Sequence, residues 1–231
     1  MNAPHEKLTS PVDKIRSYHA ELRAIRHDIH AHPELAFQEN RTSDLVADRL
    51  SSWGVEVHRG LAKTGVVGVV KGRKSSSGRA VGLRADMDCL PMHETGTVPY
   101  KSKHAGRMHA CGHDGHTTML LGTARYLAET RNFDGTAYLI FQPAEEGGGG
   151  AREMIKDGLF EKFPMQAIFG FHNWPGMKVG QFALTGLHHT PVLVLRAAED
   201  RYEIFAMRSF ALSVWEWLTD AALPLGYDVV A

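Results

Sequence analysis

The chain has only two cysteines, Cys89 and Cys111, in 231 residues. Two thiols exclude a disulfide framework and make a reducing cytoplasm the expected compartment. It also lacks net charge, with 26 basic residues against 26 acidic ones. That balance argues against a nucleic-acid partner or a membrane surface held by bulk charge. No apolar run approaches the ~18 residues of a membrane-spanning helix. The opening from Met1 to Lys14 is polar and carries no apolar stretch of the secretory kind. No internal repeat is found. The remaining composition, 43% hydrophobic and 23% charged, is that of an ordinary globular protein. Its length suits one large domain or two small ones. The one residue in excess is histidine, at 14 copies, of which His93, His104, His109, His113 and His116 crowd into one stretch.

Periodicity supplies a coarse map. Ile15, Tyr18, Leu22, Ile25 and Ile29 trace one face of an amphipathic helix, with Pro33 just beyond it. Leu45, Val46, Leu50 and Trp53 predict a second helix, stopped at Gly54. Val55 and Val57, then Val66 to Val70, Ala80 to Ala85, Ala137 to Phe141, Ala167 to Phe171 and Val179 to Leu184 read as strands. A helix is expected from about Gly115–Thr117 through Leu127, and a short one around Met154 and Ile155, closed by Gly158. Lys71 to Arg79 reads as a solvated loop. Strands alternating with helices predict an α/β fold, a mixed sheet with helices on both faces. Ligands of such sheets gather at the carboxyl ends of strands. Asp86 and Asp88, Glu145 and Glu146, and His172 all stand at such ends.

The sharpest string is His109-Ala110-Cys111-Gly112-His113-Asp114-Gly115-His116. A thiol, imidazoles and a carboxylate packed this closely make a candidate metal cluster. Gly112 allows the backbone to turn so that Cys111 and His113 converge, and the positive end of the following helix is expected to favour a Cys111 thiolate. Glu145 and Glu146 are adjacent and, leaving a strand, are expected to point in opposite directions, one free to bind a metal and the other to act as a base. Asp86 and Asp88 fall on one side of an extended strand, so that one can orient a ligand histidine. Taken singly, each cluster has an ordinary structural reading. It is their coincidence that points to one site.

Four strings carry a resemblance: Arg84-Ala85-Asp86-Met87-Asp88-Cys89-Leu90-Pro91, Met108 to Thr117, Phe141-Gln142-Pro143-Ala144-Glu145-Glu146-Gly147, and Gly170-Phe171-His172-Asn173-Trp174-Pro175. Their order resembles the M20 metallopeptidase family, in particular its hippurate hydrolase-like branch of N-acyl amino acid amidohydrolases. Arg26 to Leu35 is similar to that branch as well. The resemblance is dense from about residue 15 to about 186. It implies an α/β catalytic domain with an inserted lid and dimerisation domain. It implies Cys111, His113, Glu146 and His172 as ligands of two divalent ions (Mn, Zn, Co or Ni), Glu145 as general base, and Asp86 as an accessory acid with Asp88 competing for that place. The reaction implied is metal-dependent hydrolysis of the amide bond of small N-acyl amino acids. Neither nucleic acid nor membrane is expected as a partner.

The resemblance also implies what is missing. Residues 1–186 are expected to be the amino-terminal part of the catalytic domain, leaving it incomplete at its carboxyl end, and 187–231 a divergent remnant of the lid. Asp220 stands where a lid histidine is expected, and Phe205 to Thr219 does not resemble the family. A truncated or frameshifted reading frame accounts for this, along with loss of the family's fifth ligand, a C-terminal histidine. His188 and His189 are the candidates to replace it. Full-length members are expected to form homo-oligomers through the lid, and the shortage of lid sequence argues against that here. Two alternatives stand beside the amidohydrolase. One is an inactive metal- or partner-binding fragment. The other is a cysteine hydrolase with Cys111 as nucleophile and His113 or His116 as base.

Overall fold

The computed structural model describes residues 10–170, 172, 182–187, 190–198, 201–206 and 211–222. The chain forms two compact units, Met1–Asn173 and Trp174–Ala231. The first contains α1 (Pro11–Arg16), α2 (His19–Ala31), α3 (Asn40–Ser52), β1 (Glu56–Leu61), β2 (Gly65–Lys71), β3 (Ala80–Asp86), α4 (His113–Thr130), β4 (Thr136–Gln142), α5 (Gly150–Lys156), α6 (Leu159–Lys162) and β5 (Ala167–Gly170). The second contains β6 (Phe182–Leu187), β7 (Thr190–Ala198), β8 (Arg201–Ala206) and α7 (Ala211–Ala222).

The sheet of the first unit runs β1-β2-β4-β3-β5. β2 pairs antiparallel with both β1 and β4, whereas β3 lies parallel between β4 and β5. Alternation along the strands feeds two cores. Val66, Val70, Leu139 and Phe141 join Ile25, Ile29, Val46, Leu50, Leu120 and Leu121 from α2, α3 and α4. Val67 and Ile140 point the other way, to Met154, Leu159 and Phe163 around α5 and α6. The sheet is therefore mixed and covered by helices on both faces, as the pattern of apolar residues predicts.

Three boundaries depart from the sequence reading. The first amphipathic helix is split in two: Ser17 donates its hydroxyl to the Lys14 carbonyl at 2.6 Å, and the Tyr18 amide bonds three residues back to Ile15. Such local side-chain competition tightens and ends a helical turn. α4 begins at His113, earlier than expected, because Gly112 at φ +87° sets the chain directly into the helix. The strand expected at Val179 to Leu184 runs on to Leu187. Its described part lies in β6, which pairs antiparallel with β7 in the separate three-stranded sheet β6-β7-β8, and residues 179–181 lie outside the described residues. No helix among the described residues is long and apolar enough to cross a membrane.

The helices that back the sheet are tied together at Glu129 of α4, which binds Lys14 at 3.0 Å and Arg125 at 2.8 Å and accepts the Tyr18 hydroxyl at 2.5 Å. Burial acts to raise its pKa, but the Tyr18, Arg125 and Lys14 donors outweigh it and hold the carboxyl at about 2. A carboxyl depressed in the fold stabilises it above the ordinary value of ~4.3 and loses that contribution as pH falls toward the folded value. Glu129→Gln is therefore expected to lower the urea midpoint at pH 7, with the gap to wild type narrowing from about pH 4 downward. At the far edge of the sheet, β5 pairs among the described residues with one strand, β3. Its Phe169 is 54% exposed and Ile168 46%. Such an apolar edge templates self-association, so the purified chain is expected to scatter light at high concentration and Phe169→Lys to reduce that scattering.

Candidate metal centre

β4, β3 and β5 lie side by side and parallel, so their carboxyl ends open on one place. The register pairs Asp86 with Gln142 and Arg84 with Gly170. Asp86 closes β3, Glu145 and Glu146 follow β4, and His172 follows β5. α4 directs its first residue, His113, at the same spot.

His113 is the hub. Its side chain is fully buried. Nδ1 donates to the Asp88 carbonyl at 2.9 Å, with the Asp88 Oδ1 at 3.3 Å. This fixes the tautomer and turns Nε2 toward the strand ends. Nε2 has no hydrogen-bond partner among the described residues. It lies 3.7 Å from Asp86 Oδ2, 3.8 Å from Glu145 Oε2 and 3.7 Å from Glu146 Oε1. The Glu146 Oε1 atom is also buried without a partner. On the other side, Cys111 Sγ and His172 Nε2 approach to 3.2 Å. Asp86, Glu145 and Glu146 thus face one nitrogen of His113, and donor atoms of Cys111, His113 and His172 lie within 4.8 Å of one another.

One expectation about this cluster is overturned. Glu145 and Glu146 do not point in opposite directions, because both reach His113 Nε2. They leave the strand through Ala144, whose φ of +53° turns the backbone and abolishes strand alternation. With no ion bound, burial and then Glu146, Glu145 and Asp86 push the Cys111 thiol up to about 12.

Asp86 and Asp88 take different tasks. Asp88 holds His113 and, through Oδ2, accepts the Glu146 amide at 2.9 Å. Asp86 accepts His116 Nδ1 at 2.7 Å and Arg84 Nη1 at 2.6 Å. Burial would raise Asp86, but the His116 hydrogen bond and the charges of Arg84 and the two histidines hold it at about 2. His116 belongs to the histidine-rich string, yet the resemblance assigns it no role. It stands one helical turn from His113, with its ring 4.6 Å from that of His172. The spacing of three along a helix was the available signal. His188 and His189 lie outside the described residues.

Buried, unpaired ligand atoms and crowded carboxylates cost free energy unless a cation joins them. Burial acts to lower the His113 pKa, yet Asp88 and the surrounding carboxylates raise it. The same surplus of negative charge suits a metal ion. Asp86/His113/His116, His113/Glu145/Glu146 and Cys111/His113/His172 each bring three donor atoms within 4.8 Å of one another. Mixed sulfur, nitrogen and oxygen donors fit a first-row divalent ion.

A mixed sheet with acidic, imidazole and thiol groups gathered at its parallel strand ends defines an α/β domain with a candidate metal-binding centre. The chain belongs to peptidase family M20/M25/M40, whose profile matches residues 82–222. That match runs through Phe205 to Thr219, where the motifs alone show no resemblance. The chain is 55% identical over 164 residues to hippurate hydrolase of Campylobacter jejuni, covering 71% of this chain and 42% of that protein. It is 40% identical over 191 residues to N-acetylcysteine deacetylase of Bacillus subtilis, covering 82% and 48%. In fold it is similar to the YXEP protein of Bacillus subtilis, described as a dinuclear metal binding peptidase from the M20 family, with a TM-score of 0.66 and 41% identity over 74% of this chain and 47% of that one. The chain thus spans less than half the length of these relatives.

A divalent ion bound at His113 stabilises the folded chain by mass action. At a hundredfold excess over Kd the gain is about 2.7 kcal/mol, or ~5–10 °C for a chain of this size. Thermal scans with Mn²⁺, Zn²⁺ or Co²⁺ are expected to show that rise, EDTA to reverse it and His113→Ala to remove it.

Proposed function

We propose that this chain carries the metal-binding and base-bearing half of an M20 amidohydrolase that cleaves the amide bond of N-acyl amino acids. The observation that carries the reading is His113 Nε2, buried, unpartnered and faced by carboxylate oxygens at 3.7–3.8 Å. Cys111, His113, Glu146 and His172 are the ligands of two divalent ions, Glu145 is the general base and Asp86 an accessory acid. The name of the Bacillus subtilis neighbour supports a dinuclear centre. The names of hippurate hydrolase and N-acetylcysteine deacetylase support an N-acyl amino acid as substrate. Residues 1–186 are assigned to the amino-terminal part of the catalytic domain and 187–231 to a divergent remnant of the lid and dimerisation domain.

Bound ions supply Lewis-acid activation of a water and of the acyl carbonyl. The protein's part is proton traffic and aim. The Glu145 side chain is 40% exposed, so it can meet incoming water and substrate. It takes a proton from the attacking water and delivers it to the departing amide nitrogen, leaving a carboxylate and a free amine. Glu146, at 22% exposed, is the more enclosed of the pair, and its amide is fixed by Asp88. Asp88 keeps a proton on His113 Nδ1 and so leaves Nε2 as an acceptor.

Because the chain spans under half of its curated relatives, a second reading stands beside the first: metal binding without turnover. Measuring ions per chain together with hydrolysis of hippurate and N-acetylcysteine, before and after chelation, separates the two. Chelator-sensitive turnover supports the first, and metal uptake without turnover the second. With turnover present, Glu145→Gln is expected to lower kcat by ~10²–10⁴-fold while ion content is unchanged. Turnover that survives chelation and stops on thiol alkylation returns Cys111 as a nucleophile, against a thiol pushed to about 12.

A further inference from the structure

One fully buried acidic side chain has no part in the chemistry above. Glu39, just before α3, is 0% exposed. Its Oε1 accepts the backbone amides of Phe37 at 3.0 Å and Ala144 at 2.9 Å. Its Oε2 accepts the Thr64 hydroxyl at 2.6 Å. The donors come from three separate stretches: the loop before α3, the turn between β1 and β2, and the loop after β4. All three are neutral.

Two of them sit on strained backbone. Phe37 has φ +60° and Ala144 φ +53°, the left-handed region that residues with a Cβ seldom adopt. One oxygen of Glu39 holds both. Ala144 directly precedes Glu145 and Glu146, and its turn brings both of them to face His113. Its carbonyl accepts the Gly150 amide at 3.0 Å, and two residues on, the Glu146 amide goes to Asp88 at 2.9 Å. The Ala144–Glu146 backbone is thus pinned at both ends by carboxylates, one inside the cluster and one outside it.

We propose that Glu39 is a positioning residue that locks the Ala144 turn and so aims Glu145 and Glu146 at the gap before His113. This rests on the metal-centre reading above. The requirement is reach more than charge. Gln at this position can turn its carbonyl to the two amides and its NH₂ to Thr64, whose hydroxyl also accepts. Asp is one methylene shorter and cannot span from Phe37 to Ala144.

The test compares the full chain with Glu39→Ala, Glu39→Asp and Glu39→Gln. It reads amide exchange at Ala144–Gly150 against the β3–β4 ladder, and Co²⁺ affinity with its visible absorption. Glu39→Ala and Glu39→Asp are expected to speed exchange in the loop at least about tenfold over any change in the ladder. They should also weaken Co²⁺ binding ~10–100-fold, the usual effect of removing a group that orients ligands. Glu39→Gln is expected to restore both. Unchanged loop exchange in Glu39→Ala overturns the proposal, as does a Glu39→Gln chain no better than Glu39→Ala. Where the shortened variants do not fold, Thr64→Val removes one donor alone. It is expected to speed exchange in the loop and not in the ladder, and no local change overturns the proposal. A wild-type chain that takes up no Co²⁺ contradicts the metal reading, while the exchange comparison still decides whether Glu39 locks the turn.

Discussion

Negative charge gathered around one buried imidazole governs the rest of this structure. Asp86, Glu145 and Glu146 all direct an oxygen toward His113 Nε2, which has no hydrogen of its own to offer while Asp88 holds the proton on Nδ1. Carboxylates crowded in a low-dielectric interior repel one another and lose their water. Local compensation exists: Arg84 and His116 bind Asp86, and the Glu146 amide binds Asp88. It does not reach the gap in front of Nε2. A cation there turns the cost into binding free energy.

The fold is arranged to tolerate this cost. Three parallel strand ends bring the acidic groups together, and two apolar cores hold those strands from both faces. The strain sits in loops, at Phe37 and Ala144, where a completely buried carboxylate fixes both. Backbone held in an uncommon conformation beside reactive groups is a recurring trade of stability for aim. Here the aim is visible as two adjacent glutamates facing the same nitrogen, which no regular strand allows.

Kinship and mechanism stand on different footings. The family profile and the relatives place the chain in peptidase family M20/M25/M40 over most of its length. Beside the carboxylates of the cluster and with no cation present, the Cys111 thiol is pushed up to about 12.

Much was legible in the linear chain. Period-two and helical spacing predicted the strands from Val66 to Phe169 and the helices around Leu50 and Leu127, because burial of an apolar face imposes those periods. Reactive types at strand ends marked Asp86, Glu145, Glu146 and His172, and the histidine-rich string marked Cys111 and His113, because few other chemistries need that mixture. Tertiary structure alone decided how these side chains are oriented. Which aspartate serves which histidine depends on how α4 lies against β3. That both glutamates face inward depends on the left-handed turn at Ala144, and that turn depends on Glu39, far away in sequence. Likewise the partner of the strand expected at Val179 to Leu184 is β7, which periodicity does not reveal. Local periodicity reports which face of a segment is buried. Hydrogen-bond partners, strand neighbours and the protonation of Cys111 are set by groups that only folding brings close.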